Sequence, residues 1–261
     1  MRIAALSDIH GNLLALDAVI GALDALGGID AVWILGDLAA FGPQPQACIR
    51  RVQELQNEWG AGRVSVISGN TDRYLVTGAR RAVHLPITSE TFHSTAQDIV
   101  ERDLSLHWTL AQLAYAEFAY LRELPSEISL DVPGYGRVIG YHGTPGNDEG
   151  WLTKTTSDAE IASLFAQQTA GRLGLGGHTH EPMDRSWQGW RLLNVGSVGA
   201  PRAGRGAEYC VMTFAGGAVR AELLAVPFDT GAVAWEIDRI GTPPAMWMKR
   251  KMHLSKESRR G

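Results

Sequence analysis

Only two cysteines, Cys48 and Cys210, occur in the 261 residues. Two cannot build a disulfide framework, so a reducing cytoplasm is the expected location. No stretch approaches the roughly 18 apolar residues of a membrane span, and no membrane partner is expected. The first residues give no secretory signal: Met1–His10 carries Arg2 but reaches Asp8 too soon for an apolar core. Apolar residues are not scarce, at 45%, and charge is not one-sided, at 20% with a net −4, which excludes a disordered chain. The length suits one large domain or two small ones, and no internal repeat is visible. What the chain has in excess is glycine, 30 residues against a usual share of about 7%. It also has eight histidines.

The N-terminal half alternates strand and helix. MRIAALSD reads as a buried strand, and Leu13–Leu26 repeats apolar residues at helical spacing up to Gly27-Gly28, which suit a helix end. A strand at Ala31–Leu35, a helix at about Pro45–Trp59 and a strand at Arg63–Ile67 follow. This β-α-β-α-β rhythm predicts parallel strands with crossover helices. From Tyr74 to about Pro125 the pattern changes to a loop, including Thr77-Gly78 and Leu85-Pro86, and then two helices, about Ser89–Asp103 and Leu110–Leu124. This stretch reads as a helical cap insertion, about 74–125. Strands are then expected at Glu127–Val132, Arg137–Tyr141, Arg172–Gly176, Trp190–Val195, Glu208–Phe214 and Ala218–Pro227. Pro133-Gly134-Tyr135-Gly136 and Ala215-Gly216-Gly217 mark hairpin turns, and Ser157 with Glu160 starts a helix running to about Gln168. The fold class is therefore α/β, two sheets packed between helices. The main domain spans 1–244 and a basic tail spans 245–261. The tail holds Lys249, Arg250, Lys251, Lys256, Arg259 and Arg260 against Glu257 alone. It reads as a solvated terminus and not as a nucleic-acid domain, since no aromatic-rich fold surrounds it.

Five short clusters share one design. Each follows an expected strand and sets metal-type ligands beside glycine: Asp8-Ile9-His10-Gly11-Asn12, Gly36-Asp37, Gly69-Asn70-Thr71-Asp72, His142-Gly143 and Gly177-His178-Thr179-His180. Alone, each is commonplace. Together they fit ligand-binding loops at the carboxyl ends of strands in an α/β sheet. Asp8 and His10 are two apart and can face one side of an extended segment. Four histidines, two aspartates and an asparagine give nitrogen and oxygen donors without thiolate. That set suits Mn, Fe, Zn, Ni or Co better than Ca. Seven ligands are too many for one ion with an open position, and suit two divalent ions about 3.5–4 Å apart, bridged by a carboxylate. Two such ions outweigh two aspartates and a bridging hydroxide, which favours a phosphate oxyanion.

The order D-x-H, G-D, G-N, H-G and G-H-x-H resembles the ligand pattern of the calcineurin-like metallophosphoesterases, over about Met1–Pro227. Asn194-Val195-Gly196-Ser197-Val198-Gly199 resembles the family's late N-P-G-S segment, with valine for proline. The resemblance implies a two-sheet sandwich flanked by helices. It implies one metal on Asp8, His10 and His180, a second on Asn70, His142 and His178, and Asp37 bridging them. Asp37, His10 and Asn70 would be catalytic, and a metal-bound hydroxide would attack phosphorus. Asn12, Asn194 and Ser197 are candidates to support the ligands from behind or to contact the phosphate of a phosphate-ester substrate, and Thr71 is a candidate contact to that phosphate.

One residue departs from the pattern. Many members read G-N-H-D or G-N-H-E, and that histidine is assigned to phosphate contact or leaving-group protonation. Here it is Thr71, beside Asp72. Threonine can donate a hydrogen bond but cannot supply a proton at neutral pH. The chain therefore looks closest to the small bacterial and archaeal phosphodiesterase-like branch. The rival expectations are a metal-binding scaffold on the same fold, since fold does not fix function, and a phosphomonoesterase or protein phosphatase. The basic tail leaves room for an acidic partner or a homo-oligomer. His84, His93, His107 and His253 are expected on the surface or at caps, although His93 or His107 could reach the metals from the cap. Trp33 is expected in the core, and Trp151 beside the substrate.

Overall fold

The computed structural model describes residues 1–60, 62–81, 87–168, 171–202, 206–241, 248–249 and 252. The expected loop at Leu85-Pro86, His84, His253 and most of the basic tail lie outside these residues.

Two five-stranded mixed sheets make the frame. The first has the order β10 (Ala218–Val226), β9 (Ala207–Ala215), β1 (Arg2–Leu6), β2 (Ala31–Ile34), β3 (Val64–Val66). In it β1, β2 and β3 are parallel, with Ile3 opposite Ala31 and Val32 opposite Val64. The long β9–β10 hairpin adds an antiparallel edge. The second sheet has the order β4 (Ile128–Val132), β5 (Gly136–Gly140), β6 (Leu173–Gly176), β8 (Trp190–Asn194), β7 (Met183–Trp187). Its three central strands are parallel, and β4 and β7 run antiparallel at the edges.

The alternation of side chains along a strand sorts the core into layers. Ile3 and Ala5 of β1 join Trp33, Leu35, Val138, Leu173, Leu175, Leu193 and Met212 between the sheets. Ala4 and Leu6 point the other way, against α1 (Leu13–Leu26) and α2 (Pro45–Trp59), with Leu16, Val19, Ile49 and Val52. A third layer, with Tyr141, Ile161, Phe165 and Trp187, covers the far side of the second sheet. Trp33 is buried between the sheets as expected. Cys48 and Cys210 are both free, and they belong to different layers.

Several elements depart from the sequence reading. Asn70–Thr77 is a helix, α3, and not a loop: Gly69 precedes it and Asp72 accepts the Gly69 N–H. The cap helices break later than expected. The helix α4 runs unbroken from Phe92 to Gln112 because Glu101, Ser105, Leu106 and Thr109 keep a buried face at helical spacing across residues 103–110. The chain turns extended at Leu113, and α5 (Tyr115–Glu123) starts where Glu117 accepts the Ala114 N–H. The strand β7 was missed because only Met183 and Trp187 at its ends are buried, leaving Asp184, Arg185 and Ser186 without an apolar alternation. The helix after Ser157, α6 (Asp158–Leu164), is shorter than expected. The helix α7 (Thr230–Ile240), capped by Asp229, is additional, and Met248 of the tail is buried against its Val233 and Ile237. Among the described residues no helix is long and apolar enough to cross a membrane.

Glu117 also ties α5 to α2. It is 3% exposed and accepts from Arg50 at 2.8 Å and Gln46 at 3.1 Å, both on α2. Glu117→Ala removes a helix cap and a charged hydrogen bond together, and is expected to lower stability by about 2 kcal/mol. A shifted urea midpoint with an unchanged slope would show it; no shift would mean the cap is held by packing alone.

Candidate metal centre

The parallel strands of both sheets end at one edge, and every cluster found in the sequence sits there. Asp8 and His10 follow β1, Asp37 follows β2, Asn70 starts α3 after β3, His142 follows β5, and His178 and His180 follow β6. Backbone bonds stitch the loops together: Asp8 N–H donates to Gly36 O at 3.0 Å, His10 N–H to Asp37 O at 2.9 Å, and Gly177 N–H to His142 O at 2.8 Å.

Five of the seven candidate ligands are non-glycine residues in the left-handed region: Asp8 (φ 57°), His10 (50°), Asp37 (57°), His178 (64°) and His180 (54°). Each costs about 1–2 kcal/mol, and such strain collects at functional sites. Glycines admit the close approaches. A Cβ on Gly69 would overlap the Asp37 carboxylate, and one on Gly177 would overlap Ser7 and Asp8.

The seven side chains converge. His180 Nε2 lies 3.1 Å from Asp8 Oδ1 and 3.0 Å from His10 Nε2. His10 Nε2 is 3.6 Å from Asp8 and 3.8 Å from Asp37 Oδ2. His142 Nε2 is 3.5 Å from the same Asp37 oxygen and 3.1 Å from Asn70 Oδ1, which lies 2.9 Å from His178 Nδ1. Asp37 Oδ2 thus stands between two groups of donors. Three rings are held from behind: the Nδ1 atoms of His10, His142 and His180 lie 3.0, 2.7 and 3.0 Å from the carbonyls of Ala40, Leu35 and Ala200. Those carbonyls take the Nδ1 protons, so each Nε2 turns a lone pair inward.

This is the test of fit for a metal. The Nε2 atoms of His10 and His180 meet at 3.0 Å beside the buried Asp8 Oδ1. Acceptors at that spacing repel unless a cation lies among them. Asp8, His10 and His180, and likewise Asp8, Asp37 and His142, are spaced to hold an ion. The residues fit.

In a metal-free chain the cation is a proton. Burial opposes charge on His142, but Asp37 and Asp8 beside it push its pKa up to about 10. Burial also opposes charge on His10, and the same aspartates raise it. His178 is pushed down to about 4 by burial and by His142, and His180 is lowered by burial. Burial would raise Asp37, yet His142 and His10 bring it down to about 2. Asp8 likewise ends well below the usual range, with His180 overriding burial.

Residues 1–217 match the family model of the calcineurin-like phosphoesterase superfamily domain. The chain belongs to that superfamily. It is 27% identical to an uncharacterised protein of Methanocaldococcus jannaschii over 97% of this chain and 98% of that one. Its fold is similar to that of a hypothetical protein from Pyrococcus horikoshii (TM-score 0.76, 20% identity, 97% of this chain and 96% of that one). It is also similar to a metallophosphoesterase from Sphaerobacter thermophilus (TM-score 0.70, 22% identity, 97% and 98%).

Of the two roles open to Asn12, Asn194 and Ser197, their hydrogen bonds favour the supporting one. Asn12 caps α1 through Ala15 N–H and donates to Gly199 O at 2.9 Å. Asn194 donates to Gly177 O and Thr179 Oγ1 and accepts from Gly196 N–H. Ser197 Oγ donates to Asp8 O and accepts from Ala200 N–H. Their polar atoms are committed to backbone and neighbouring loops, so they position Asp8 and the His178–His180 loop instead of reaching a substrate. Thr71 differs: its N–H donates to Asp37 Oδ1 at 2.9 Å, and its buried hydroxyl has no hydrogen-bond partner. Asp72 has a role the motif did not suggest. It accepts from the N–H groups of Asp37, Leu38 and Gly69 at 2.7–3.0 Å, and so fixes the bridging loop.

A cavity of about 140 Å3 opens over the ligands, lined also by Phe41, Thr71, Tyr74, Arg81, Arg102, Trp151 and Arg202. Trp151 stands edge-on to His178, with ring centres 5.6 Å apart, and borders the site as expected. The arginines were missed. No motif marks them, and two come from the cap. His93 and His107 are exposed and do not line the cavity.

Two outcomes are expected. The raised His142 value stabilises the metal-free fold below its ordinary 6.5 and stops doing so as pH rises through about 10. At pH 7.5 manganese uptake should therefore release protons, the release shrinking toward pH 10. Calorimetry in buffers of different ionisation enthalpy measures this, and a buffer-independent heat would refute it. Asp72→Ala should weaken metal binding by about 10–100-fold although it touches no ion, as read by a competing chelator.

Proposed function

We propose that this chain is a dinuclear metal-dependent phosphodiesterase. Asp8, His10 and His180 would hold one divalent transition-metal ion, Asn70, His142 and His178 a second, and Asp37 would be shared. The observation that carries this reading is the pair of lone-pair clusters meeting at Asp37 Oδ2 beneath an arginine-lined cavity. Bound ions of the Mn, Fe, Zn, Ni or Co class would supply Lewis-acid polarisation of a phosphoryl oxygen and acidify a coordinated water.

The protein's own groups do the remaining tasks. Backbone carbonyls of Leu35, Ala40 and Ala200 fix three imidazoles, so the ligand geometry is set before substrate arrives. The unpaired Thr71 hydroxyl can donate to a phosphoryl oxygen. It has no proton to give an alkoxide at neutral pH, which favours diesters with a good leaving group over alkyl monoesters.

Manganese-loaded protein should hydrolyse bis-p-nitrophenyl phosphate, with two ions per chain by elemental analysis. Asp37→Ala should lower kcat by at least about 10³, since one carboxylate serves both ions. No turnover with Mn, Fe, Zn, Ni or Co would sink the reading. Phosphoserine peptides should be poor substrates beside the activated diester; the reverse order would contradict the role given to Thr71.

A further inference from the structure

The long helix α4 is inside out. Its buried face is mainly polar: Glu101, Ser105 and Thr109 are 7%, 0% and 0% exposed, with Leu106 beside them. Its outer face is apolar. Phe92 is 52% exposed, Val100 55%, Leu104 45% and Leu110 40%, and the half-buried Ile99 and exposed Ala111 lie in the same stripe. A surface helix of a globular protein turns its apolar stripe to the core and its charged residues to water. In α4 the outward stripe runs about 28 Å along the helix.

The stripe is self-complementary. Ser105 points inward, so the line opposite it is the middle of the outer face. Above and below the level of Ser105, Val100 is matched by Leu110, Ile99 by Ala111 and Asp103 by His107. A two-fold axis on that line lays α4 antiparallel to the α4 of a second copy. Val100 then meets the partner's Leu110, and Asp103 meets the partner's His107. The two polar residues of the stripe are thus an acid and a base that face each other across the axis. Asp103 also lies 3.5 Å from Arg80 and 3.6 Å from Arg102, so its charge is balanced within its own chain.

We propose that the outer face of α4 is the interface of a homodimer, formed by antiparallel packing of α4 on the α4 of a second copy about a two-fold axis level with Ser105. Such a contact closes on itself, as two-fold interfaces do. The stripe exposes roughly 500 Å2 on each copy. A pair therefore buries about 1,000 Å2, near the lower limit of a specific interface, which sets a modest Kd of about 1–10 µM. A lipid surface fits the stripe less well. Helices that lie on membranes flank the apolar face with lysine and arginine. The helix α4 has no lysine, its one arginine, Arg102, lines the cavity, and Asp98 is exposed. The dimer uses no residue of the metal centre and does not depend on the phosphodiesterase reading.

The test is analytical ultracentrifugation of the full chain between about 0.1 and 100 µM, which brackets that Kd. The wild type should pass from monomer to dimer across this range. Val100→Glu should weaken the dimer at least about 100-fold, because it buries an unpaired charge twice in one interface. Val100 is exposed in the monomer, so the far-ultraviolet circular dichroism should not change. Disulfide trapping reads the pairing directly. A mixture of Val100→Cys chains with Leu110→Cys chains should cross-link, and neither variant should do so alone. The native Cys48 and Cys210 are buried and do not compete. A chain that stays monomeric at about 100 µM overturns the proposal, and so does a dimer that Val100→Glu leaves intact. Equal cross-linking within either single variant overturns the antiparallel pairing. Sedimentation of monomeric chain with phosphatidylcholine–phosphatidylglycerol vesicles, lost in Val100→Glu, overturns the proposal by assigning the stripe to a membrane surface.

Discussion

Histidine lone pairs and aspartate oxygens held a few ångströms apart in a buried place repel one another, and the rest of this structure is arranged to keep them there. His10 and His180 face each other at 3.0 Å, and Asp37 stands between two histidines from different sheets. Such an arrangement is stable only with a cation inside it. The neighbouring aspartates raise His10 and push His142 up to about 10 in a metal-free chain, and a divalent ion would meet that need better because it accepts several lone pairs at once.

Holding the cluster open has a structural cost. Five ligands take the left-handed backbone, where a side chain is disfavoured. The offsetting bonds come from residues that touch no ligand atom of the centre. Asp72 gathers three N–H groups of the bridging loop, Ser197 fixes the Asp8 carbonyl, and Asn194 fixes the loop that carries His178 and His180. The strain is local and the support is distributed, which is how a precise site sits on loops at the edge of two rigid sheets. The stretch between the two sheets adds what the sheets cannot. Through Glu117, α5 is fastened to α2, and from this stretch Arg81 and Arg102 reach the cavity.

The glycine excess is explained in part by this edge. Gly69 and Gly177 sit where a methyl group would strike the Asp37 or Asp8 carboxylate. Other glycines serve ordinary turns, as Gly216-Gly217 does between β9 and β10.

Much of this was legible in the residues. The strands announce themselves as short apolar runs, and the candidate donors follow those runs, so the α/β class and the clusters of donor residues could be read by spacing and residue type. Legibility failed where local pattern carries no sign of the tertiary role. Asn12, Asn194 and Ser197 are polar and near glycine, which suits a support or a phosphate contact alike, and only the folded chain shows their atoms committed to backbone. The helix α3 hid because its apolar face is short, and β7 because it is an edge strand with a polar middle. The cavity arginines stand in no motif, since guanidiniums on long side chains reach a common space from distant parts of the chain. The sequence by itself determined which atoms are available to bind a metal, because that follows from side-chain chemistry. The tertiary structure alone decided which charges surround the cavity, because that depends on where separate elements bring their side-chain ends together.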